Sequence, residues 1–221
     1  LIAMLNVKDD RLVVEEKGIY SVEKFIIARR LMYWQVYLHK TSLVAEQLLM
    51  RLLKRAKVLS NQGEKLSASK ALSYFLTTGV TPEGFNASVL EAFSKLDDYD
   101  IVGAMKSWQY HEDFVLRTLS LMLLNRDLLK IKIQDKEISP HKISEKIEHV
   151  IKQYELSEDE ASYFVFSDSI SNQAYRMDKD TINLVTKKGK VIDVARASDQ
   201  LNIEALSKKV TKYYLCYPKA L

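Results

Sequence analysis

The chain has 221 residues, with 33 basic and 29 acidic side chains and a formal net charge of +4. A hydrophobic content of 47% is enough for a packed core and excludes a disordered tail. Six Gly and three Pro favour long helices over a sandwich or a propeller, and no long block of one charge demands a nucleic-acid partner.

The sequence was searched for a membrane span and for a signal-peptide pattern at its start. No apolar run approaches 18 residues and no signal-peptide pattern opens the chain, so we expect a cytoplasmic protein without a membrane span. The single Cys216 cannot form an internal disulfide and fits a reducing compartment. The chain begins with Leu1 rather than Met, which suggests that it was cut from a longer protein.

The N-terminal part of the chain predicts a strand followed by one long helix. Residues 11–15 have strand character, and no Gly or Pro occurs between Gly18 and Gly63. We therefore predict a helix from about residue 22 to residue 59, with Ser21 as its N-cap. Gly63 is a plausible left-handed C-terminal cap.

Helical patterns continue to about residue 126, and strands become frequent after it. Helices are predicted at 67–76, 86–95, 96–108 and 111–125. The predicted elements that follow are strand 128–133, helix 140–154, strand 162–166, hairpin 181–185 with 191–194, helix 201–209 and strand 212–217. This order predicts an α+β fold with a helical part at 1–126. Residues 127–221 would form a subdomain with one small antiparallel sheet and two helices, in ferredoxin-like order.

The residues themselves reveal no catalytic centre. None of the four His residues forms an adjacent His-Asp pair or a Cys/His cluster, and no Gly-rich phosphate loop occurs. The triplet His111-Glu112-Asp113 is either a partial metal site or the polar start of a helix. The run from Asp97 to Asp100 either binds a cation or caps a helix.

A stripe of basic and aromatic residues on the long helix is a better candidate. At 100° per residue, Arg29, Tyr33 and Lys40 fall within roughly 40° of one another, with Tyr37 further round. A guanidinium and a phenol one turn apart can hold phosphate oxygens while a ring packs on a sugar or base. Alternatively, the tyrosines belong to the core and the basic side chains only reach past it to solvent.

The segment from Tyr20 to Phe25 and the run from Ala28 to Thr41 resemble a known family. They are similar to the helix that follows the catalytic core in bacterial HD-domain phosphohydrolases. These enzymes are similar to deoxynucleoside triphosphate triphosphohydrolases, including the mammalian SAM-and-HD-domain enzyme. The pattern that carries the resemblance is Arg-x3-Tyr/His-x3-Tyr-x-His-Lys.

The resemblance implies a role for each matching residue. Arg29, Tyr33 and Tyr37 would contact the triphosphate and sugar of the substrate. An effector nucleotide at a subunit interface would be bound by basic residues and one histidine: Lys17, His39, Lys40, Arg126 and Lys130. Alternatively, Arg126 and Lys130 only complement the C-terminus of a helix.

The chain also departs from the family. The family's metal ligands are a His, an adjacent His-Asp pair and a later Asp, all before this helix, and none is present in the chain. The resemblance therefore implies a C-terminal fragment without a metal, inactive alone, from an enzyme that requires a divalent metal such as Mg²⁺ or Mn²⁺. Trp34 and Gln35 stand where the mammalian enzyme is basic, so its effector is not implied.

Three hypotheses about function remain open. The first is a fragment of a homo-oligomeric enzyme that hydrolyses deoxynucleoside triphosphates (dNTPs). The second is a regulatory and oligomerisation module that binds a nucleotide without catalysis. The third is nucleic-acid binding through lysines that more often belong to solvated turns and faces: Lys187, Lys188, Lys190, Lys208, Lys209 and Lys212.

Overall fold

The computed structural model of the chain describes residues 1–173, 175, 181–198 and 208–219. It confirms a mixed fold of helices and strands. The helices are α1 (Ile19–Met32), α2 (Lys40–Asn61), α3 (Lys70–Thr77), α4 (Ala87–Ser94), α5 (Asp98–Trp108), α6 (Phe114–Leu124), α7 (Pro140–Tyr154), α8 (Glu158–Ala161) and α9 (Val194–Ala197). The strands are β1 (Leu5–Lys8), β2 (Arg11–Glu15), β3 (Lys130–Gln134), β4 (Phe166–Asn172), β5 (Asn183–Val185), β6 (Val191–Asp193) and β7 (Val210–Tyr217).

The chain divides into two compact units that are interleaved in sequence. Unit 1 contains residues 1–39, 133–137 and 168–214, and unit 2 contains residues 40–132, 138–167 and 215–221. The boundary that the sequence predicts between residues 126 and 127 remains a prediction about domains.

Unit 1 is built on a four-stranded sheet in the order β1-β2-β5-β6. β1 pairs with β2 and β5 pairs with β6 in antiparallel hairpins, whereas β2 and β5 are parallel, with Val14 opposite Leu184. Side chains from this sheet, α1 and α9, together with Tyr175, form one buried core. Its buried members are Val14, Val22, Ile26, Tyr175, Leu184 and Val194.

The single antiparallel sheet in ferredoxin-like order is therefore wrong. The hairpin β5-β6 joins the N-terminal strands, and β3, β7 and β4 form a separate three-stranded sheet in that order. The hairpin itself was predicted correctly around the turn at Gly189, which has a φ of +77°. The strand that pairs with this hairpin, β2, is about 170 positions away in the chain. Local patterns carry no information on such a pairing.

The long helix predicted at 22–59 is also wrong, because it is divided near Tyr33. α1 begins at Ile19, before the predicted cap Ser21, and ends at Met32. Tyr33–Tyr37 then form a π-helical turn, closed by a hydrogen bond of 2.7 Å from the Leu38 amide to the Tyr33 carbonyl. Leu38 leaves helical geometry, with φ −100° and ψ 16°, and α2 starts at Lys40. Such turns are frequent at functional sites.

Unit 2 is organised around α2, which packs against α6 and α3. One stripe of α2, with members three to four residues apart, is buried. Its members are Leu43, Val44, Leu48, Leu52, Ala56 and Leu59. Among the helices of this unit, α5 also packs against α6.

An ion network joins α2 to α6 and α8 within unit 2. The Arg55 guanidinium forms a two-pronged contact with Asp113 and lies 3.7 Å from Glu160. Only 15% of the Arg55 side chain and 12% of the Asp113 side chain are exposed. Burial raises the pKa of Asp113. The Arg55 hydrogen bonds, the Leu116 amide and the guanidinium charge outweigh it and hold that pKa below its usual range.

The remaining predictions have mixed outcomes. Strand 11–15 and helix 140–154 are confirmed as β2 and α7. Strand 162–166 is wrong, because residues 162–165 form an apolar turn and β4 begins at Phe166. Of the helix predicted at 201–209, residues 201–207 lie outside the described residues. Within the described part of the chain, every helix is too short or too polar to cross a bilayer.

Candidate functional site

Three predicted substrate residues form a continuous stack along α1 and its π-turn. Because residues i and i+4 lie on one side of a helix, the side chain of Tyr33 lies next to that of Arg29. The Arg29 guanidinium lies 4.8 Å from the Tyr33 ring centroid, and Arg29 Nη2 donates to Tyr33 Oη at 3.4 Å. The rings of Tyr33 and Tyr37 follow with centroids 5.2 Å apart and a tilt of 57°. The stack presents a cation at one end and two aromatic rings at the other.

The stack borders a cavity of about 600 Å³ in unit 1. Its walls come from α1 and the π-turn, from the end of β4 and the residues after it, and from the residues just before β5 and β7. The described lining residues are Phe25, Ile26, Arg29, Tyr33, Ser171, Asn172, Gln173, Tyr175, Ile182 and Lys209. The lining combines two cations with neutral amide and hydroxyl groups and with aromatic carbon, as a site for a phosphorylated organic molecule requires.

A second cavity, of about 540 Å³, continues along the same helix. It shares Phe25, Arg29 and Tyr33 with the first cavity and extends to Tyr37. Arg29 and Tyr33 therefore lie where the two cavities meet, so one ligand can contact the guanidinium while its uncharged part lies against a ring.

Tyr175 fixes one wall of the first cavity. Its hydroxyl donates to Asp193 Oδ2 at 2.5 Å and accepts from the Ile182 amide at 2.8 Å. Burial, followed by the hydrogen bond to Asp193, raises the pKa of Tyr175 well above its usual range. The phenol is therefore neutral at any physiological pH, and its role in the wall is structural.

Lys40 does not extend the stack, although a helical wheel placed it beside Arg29. The wheel assumed one continuous α-helix, and the π-turn ends that geometry at Met32. Lys40 instead lines a cavity of about 220 Å³ in unit 2, together with Arg126 and Lys219. Lys219 Nζ also pairs with Asp127 at 2.7 Å. Two residues of the predicted effector set, Lys40 and Arg126, are thus brought together.

The other members of the predicted effector set have different surroundings. Lys17 is exposed and pairs with Glu15 at 2.7 Å. His39 is exposed and is the last residue of the first segment of unit 1. Lys130 Nζ lies 5.7 Å from the ring centroid of Tyr217 and is not among the residues that line the 220 Å³ cavity. The assignment of these three residues to an effector stays a prediction.

The side chains of the two candidate metal sites form hydrogen bonds with neighbouring residues. Asp97 and Asp100 form a capping box at the start of α5. Asp113 caps α6, and His111 Nδ1 accepts from the Asp113 amide at 3.1 Å while its Nε2 lies 3.2 Å from Glu64. In the part of the chain that the structure describes, no three His, Cys, Asp or Glu residues are arranged to hold a metal ion. The described residues therefore do not fit a metal centre.

Sequence reasoning missed the cavity residues that follow the stack. Asn172 ends β4 and Gln173 follows it, and Lys209 was assigned only to a basic surface. Nothing local distinguishes an Asn-Gln pair at the end of a strand from an ordinary turn. Their significance comes from the tertiary fold, which brings them to the cavity beside α1.

Comparison with known proteins relates the chain to HD-domain proteins. Residues 1–74 match the model of the HD associated region. A crystal structure of a phosphohydrolase from Bacteroides thetaiotaomicron is 48% identical, with a TM-score of 0.91 over 99% of this chain and 55% of that one. An uncharacterized Bacillus subtilis protein, YwfO, is 28% identical over all of this chain and 50% of its own length.

The chain spans about half the length of these relatives. A hypothetical protein from Aquifex aeolicus has a TM-score of 0.60 over the whole chain and 48% of its own, at 19% identity, and shares the fold alone. The match to the HD associated region covers α1, the π-turn and α2, the segment that carries the Arg29 stack. By these matches, residues 1–74 resemble the HD associated region, and the fold is similar to that of the matching part of the Bacteroides phosphohydrolase.

Proposed function

We propose that the whole protein is a metal-dependent phosphohydrolase of the HD type that hydrolyses dNTPs to deoxynucleoside and triphosphate. In this proposal the chain is the C-terminal portion of a homo-oligomeric, cytoplasmic enzyme and supplies substrate contacts. The observation that carries the proposal is the stack of Arg29, Tyr33 and Tyr37 at the edge of two cavities. The likeness to a phosphohydrolase over 99% of the chain supports it.

The stack offers two kinds of contact to a nucleotide. The Arg29 guanidinium can form paired hydrogen bonds to phosphate oxygens, and Lys209 adds a second positive charge to the first cavity. The rings of Tyr33 and Tyr37 offer flat apolar surfaces to a sugar or a base. Phosphate charge that develops as a bond breaks would be stabilised by Arg29, which lies against the Tyr33 ring.

A metal would have to be held by residues outside those described, since the described residues do not fit one. In such enzymes a divalent ion activates the attacking water. The contribution of this chain is then to hold and orient the substrate.

The decisive experiment incubates the full-length protein with Mg²⁺ or Mn²⁺ and each of the four dNTPs and measures the released triphosphate. Arg29→Ala should lower kcat/KM by about 10- to 100-fold, because a charge-assisted hydrogen bond contributes about 1.5–3 kcal/mol. Arg30→Ala, a matched change at a neighbour outside both cavities, should change kcat/KM by less than about threefold.

Two outcomes would contradict the proposal in different ways. Absence of triphosphate release from all four dNTPs would reject the reaction. Normal turnover in Arg29→Ala would keep the reaction and reject the assigned pocket.

A second candidate function, nucleotide binding for regulation, is favoured by the 220 Å³ cavity. Lys40, Arg126 and Lys219 bring three cations to its walls, and a phosphate group is the ligand that such a cluster suits. On this reading the chain binds a nucleotide and controls oligomerisation without catalysis. Nucleotide-dependent assembly that Arg126→Ala abolishes, in a full-length protein without triphosphate release, would favour this function over the first.

A further inference from the structure

One residue that lines the 600 Å³ cavity, Asn172, has a buried amide nitrogen without a hydrogen-bond partner among the described residues. Tyr175 uses both its donor and its acceptor within the wall, as described above. Asn172, at the end of β4, is only 9% exposed, and its Nδ2 is buried without a hydrogen-bond partner among the described residues. The large majority of buried polar side-chain atoms in proteins have a partner, so a buried amide without one requires an explanation.

The unpartnered amide lines a cavity that is large enough for a ligand. Asn172 shares the lining with Arg29, Tyr33 and Lys209. The contrast with Trp108 is informative: its buried Nε1 also lacks a partner among the described residues, but Trp108 lines none of the cavities described above. At Asn172, an acceptor can therefore come from a molecule in the cavity.

The charges on the wall indicate which part of a ligand this amide meets. Two cations, Arg29 and Lys209, suit phosphate oxygens. With these cations available for the phosphates, the Asn172 amide can donate to a carbonyl or hydroxyl oxygen of the uncharged part of the same ligand. The cavity lies within the range of roughly 300–1,000 Å³ that holds drug-sized ligands, so phosphate and nucleoside portions fit together.

We infer that Asn172 is a substrate-contacting residue, whose Nδ2 donates a hydrogen bond to an oxygen of the nucleoside portion of the ligand that Arg29 holds by its phosphates. This inference rests on the proposed function and adds a specificity contact from β4 to it. A site built to donate a hydrogen bond rejects analogues that lack the acceptor, because the amide then stays buried and unpaired.

The test measures the affinity of the full-length protein for each dNTP and for inorganic triphosphate by calorimetry. Asn172→Leu keeps the approximate size of the side chain and removes the amide. It should weaken the binding of at least one dNTP by about 3- to 10-fold, the effect of one neutral hydrogen bond. Affinity for inorganic triphosphate should change by less than about twofold, because that ligand has no nucleoside.

A structural role for Asn172 predicts a different pattern. If the amide only supports the wall, Asn172→Leu lowers the melting temperature and weakens both kinds of ligand alike. If the amide instead contacts the ligand, the melting temperature of Asn172→Leu without ligand equals or exceeds that of the wild type, since an unpaired donor has been removed. Asn172→Ser provides a second, smaller variant with the same expected loss for dNTPs. Asn6→Leu makes the same change at an exposed position of β1 in unit 1 and should alter neither affinity.

The failure of this inference is distinguishable from the failure of the proposed function. Unchanged dNTP affinity in Asn172→Leu, combined with lost affinity in Arg29→Ala, overturns the contact and leaves the proposed function in place. Equal loss for dNTPs and for triphosphate also overturns it. A wild-type protein that neither binds nor hydrolyses any dNTP overturns both.

Discussion

α1 and α2 lie almost next to each other in the sequence, yet they bury different shares of their apolar residues. α2 buries one continuous stripe, and Leu48 and Leu52 are fully enclosed. α1 and the π-turn that follows it leave large apolar side chains in solvent, among them Phe25, Leu31 and Tyr37. Hydrophobic content alone therefore does not separate a core helix from a helix with an exposed apolar face. The difference lies in what covers each face.

The same contrast appears in one arginine from each region. Arg55 on α2 is held by the carboxylates of Asp113 and Glu160 in a nearly closed network. Arg29 on α1 lies against the Tyr33 ring at the edge of two cavities. We expect Arg55 to act on stability and Arg29 to act on the ligand.

The largest effect should come from the core stripe of α2. Leu52→Ala should lower the free energy of unfolding by about 3 kcal/mol, because it removes buried methyl groups and leaves a cavity. Leu31→Ala, the same change at a position that is 51% exposed, should stay within about 0.5 kcal/mol. Urea unfolding measures both. Equal losses would mean that the exposed face of α1 is covered in solution.

The next largest effect should come from the two arginines. Arg55→Ala leaves the Asp113 carboxylate without its main partner and should cost about 2–3 kcal/mol of stability. Arg29→Ala should cost no more than about 1 kcal/mol, the value of one cation–π contact, while reducing turnover. Thermal unfolding and the triphosphate assay on both variants separate these effects. If Arg29→Ala lost stability and turnover in the same proportion as Arg55→Ala, the two arginines would not have separate roles.

Acid should lower the stability of unit 2 through protonation of Asp113. We expect this loss to be smaller than that caused by Arg55→Ala. Since the pKa of Asp113 is lower in the folded than in the unfolded chain, its stabilisation is fully present above the unfolded value of about 4. That stabilisation is lost as the pH falls through the folded-state pKa. Glu160, whose pKa is lowered mainly by its hydrogen bonds from Ser157, adds a loss of the same sign.

Unfolding free energies measured between pH 7 and pH 3 test this expectation. Asp113→Asn should be less stable at pH 7 and should lose less stability on acidification than the wild type. The same pH dependence in Asp113→Asn and in the wild type would show that other carboxylates dominate.

The smallest effect should come from the Tyr33 hydroxyl. Its contact with Arg29 Nη2 is long, at 3.4 Å, so Tyr33→Phe should change stability by less than about 0.5 kcal/mol. The ring remains, so turnover should fall by less than about threefold. Tyr33→Leu removes the aromatic face as well and should reduce turnover further. If Tyr33→Phe matched Tyr33→Leu in the triphosphate assay, the hydroxyl rather than the stack would be the important group.

The sequence predicted local elements well and their assembly poorly. Pro140 with the Ser139 cap marks the start of α7, and Gly189 marks the β5-β6 turn, because these residues have strong local preferences. The parallel pairing of β2 with β5 depends on contacts between distant residues, which no local pattern encodes. The π-turn at Tyr33–Tyr37 contains no Gly or Pro and was invisible for that reason.

The candidate site was predicted only in part. The four-residue spacing from Arg29 to Tyr33 and Tyr37 is a property of one helical segment, and the structure brings these side chains together. Asn172 comes to the cavity from a strand more than 130 positions later in the chain, so its place could not be inferred from spacing.

Arg126 illustrates a conflict between backbone strain and side-chain charge. It follows the C-cap of α6 with a φ of +55°, a left-handed conformation in which Gly is usual and another residue costs about 1 kcal/mol. Its guanidinium lines the 220 Å³ cavity with Lys40 and Lys219. Replacing Arg126 with Gly would relax the backbone and remove one of three positive charges from the cavity. The substitution expected to stabilise the backbone would therefore weaken the anion binding that we propose for this cavity.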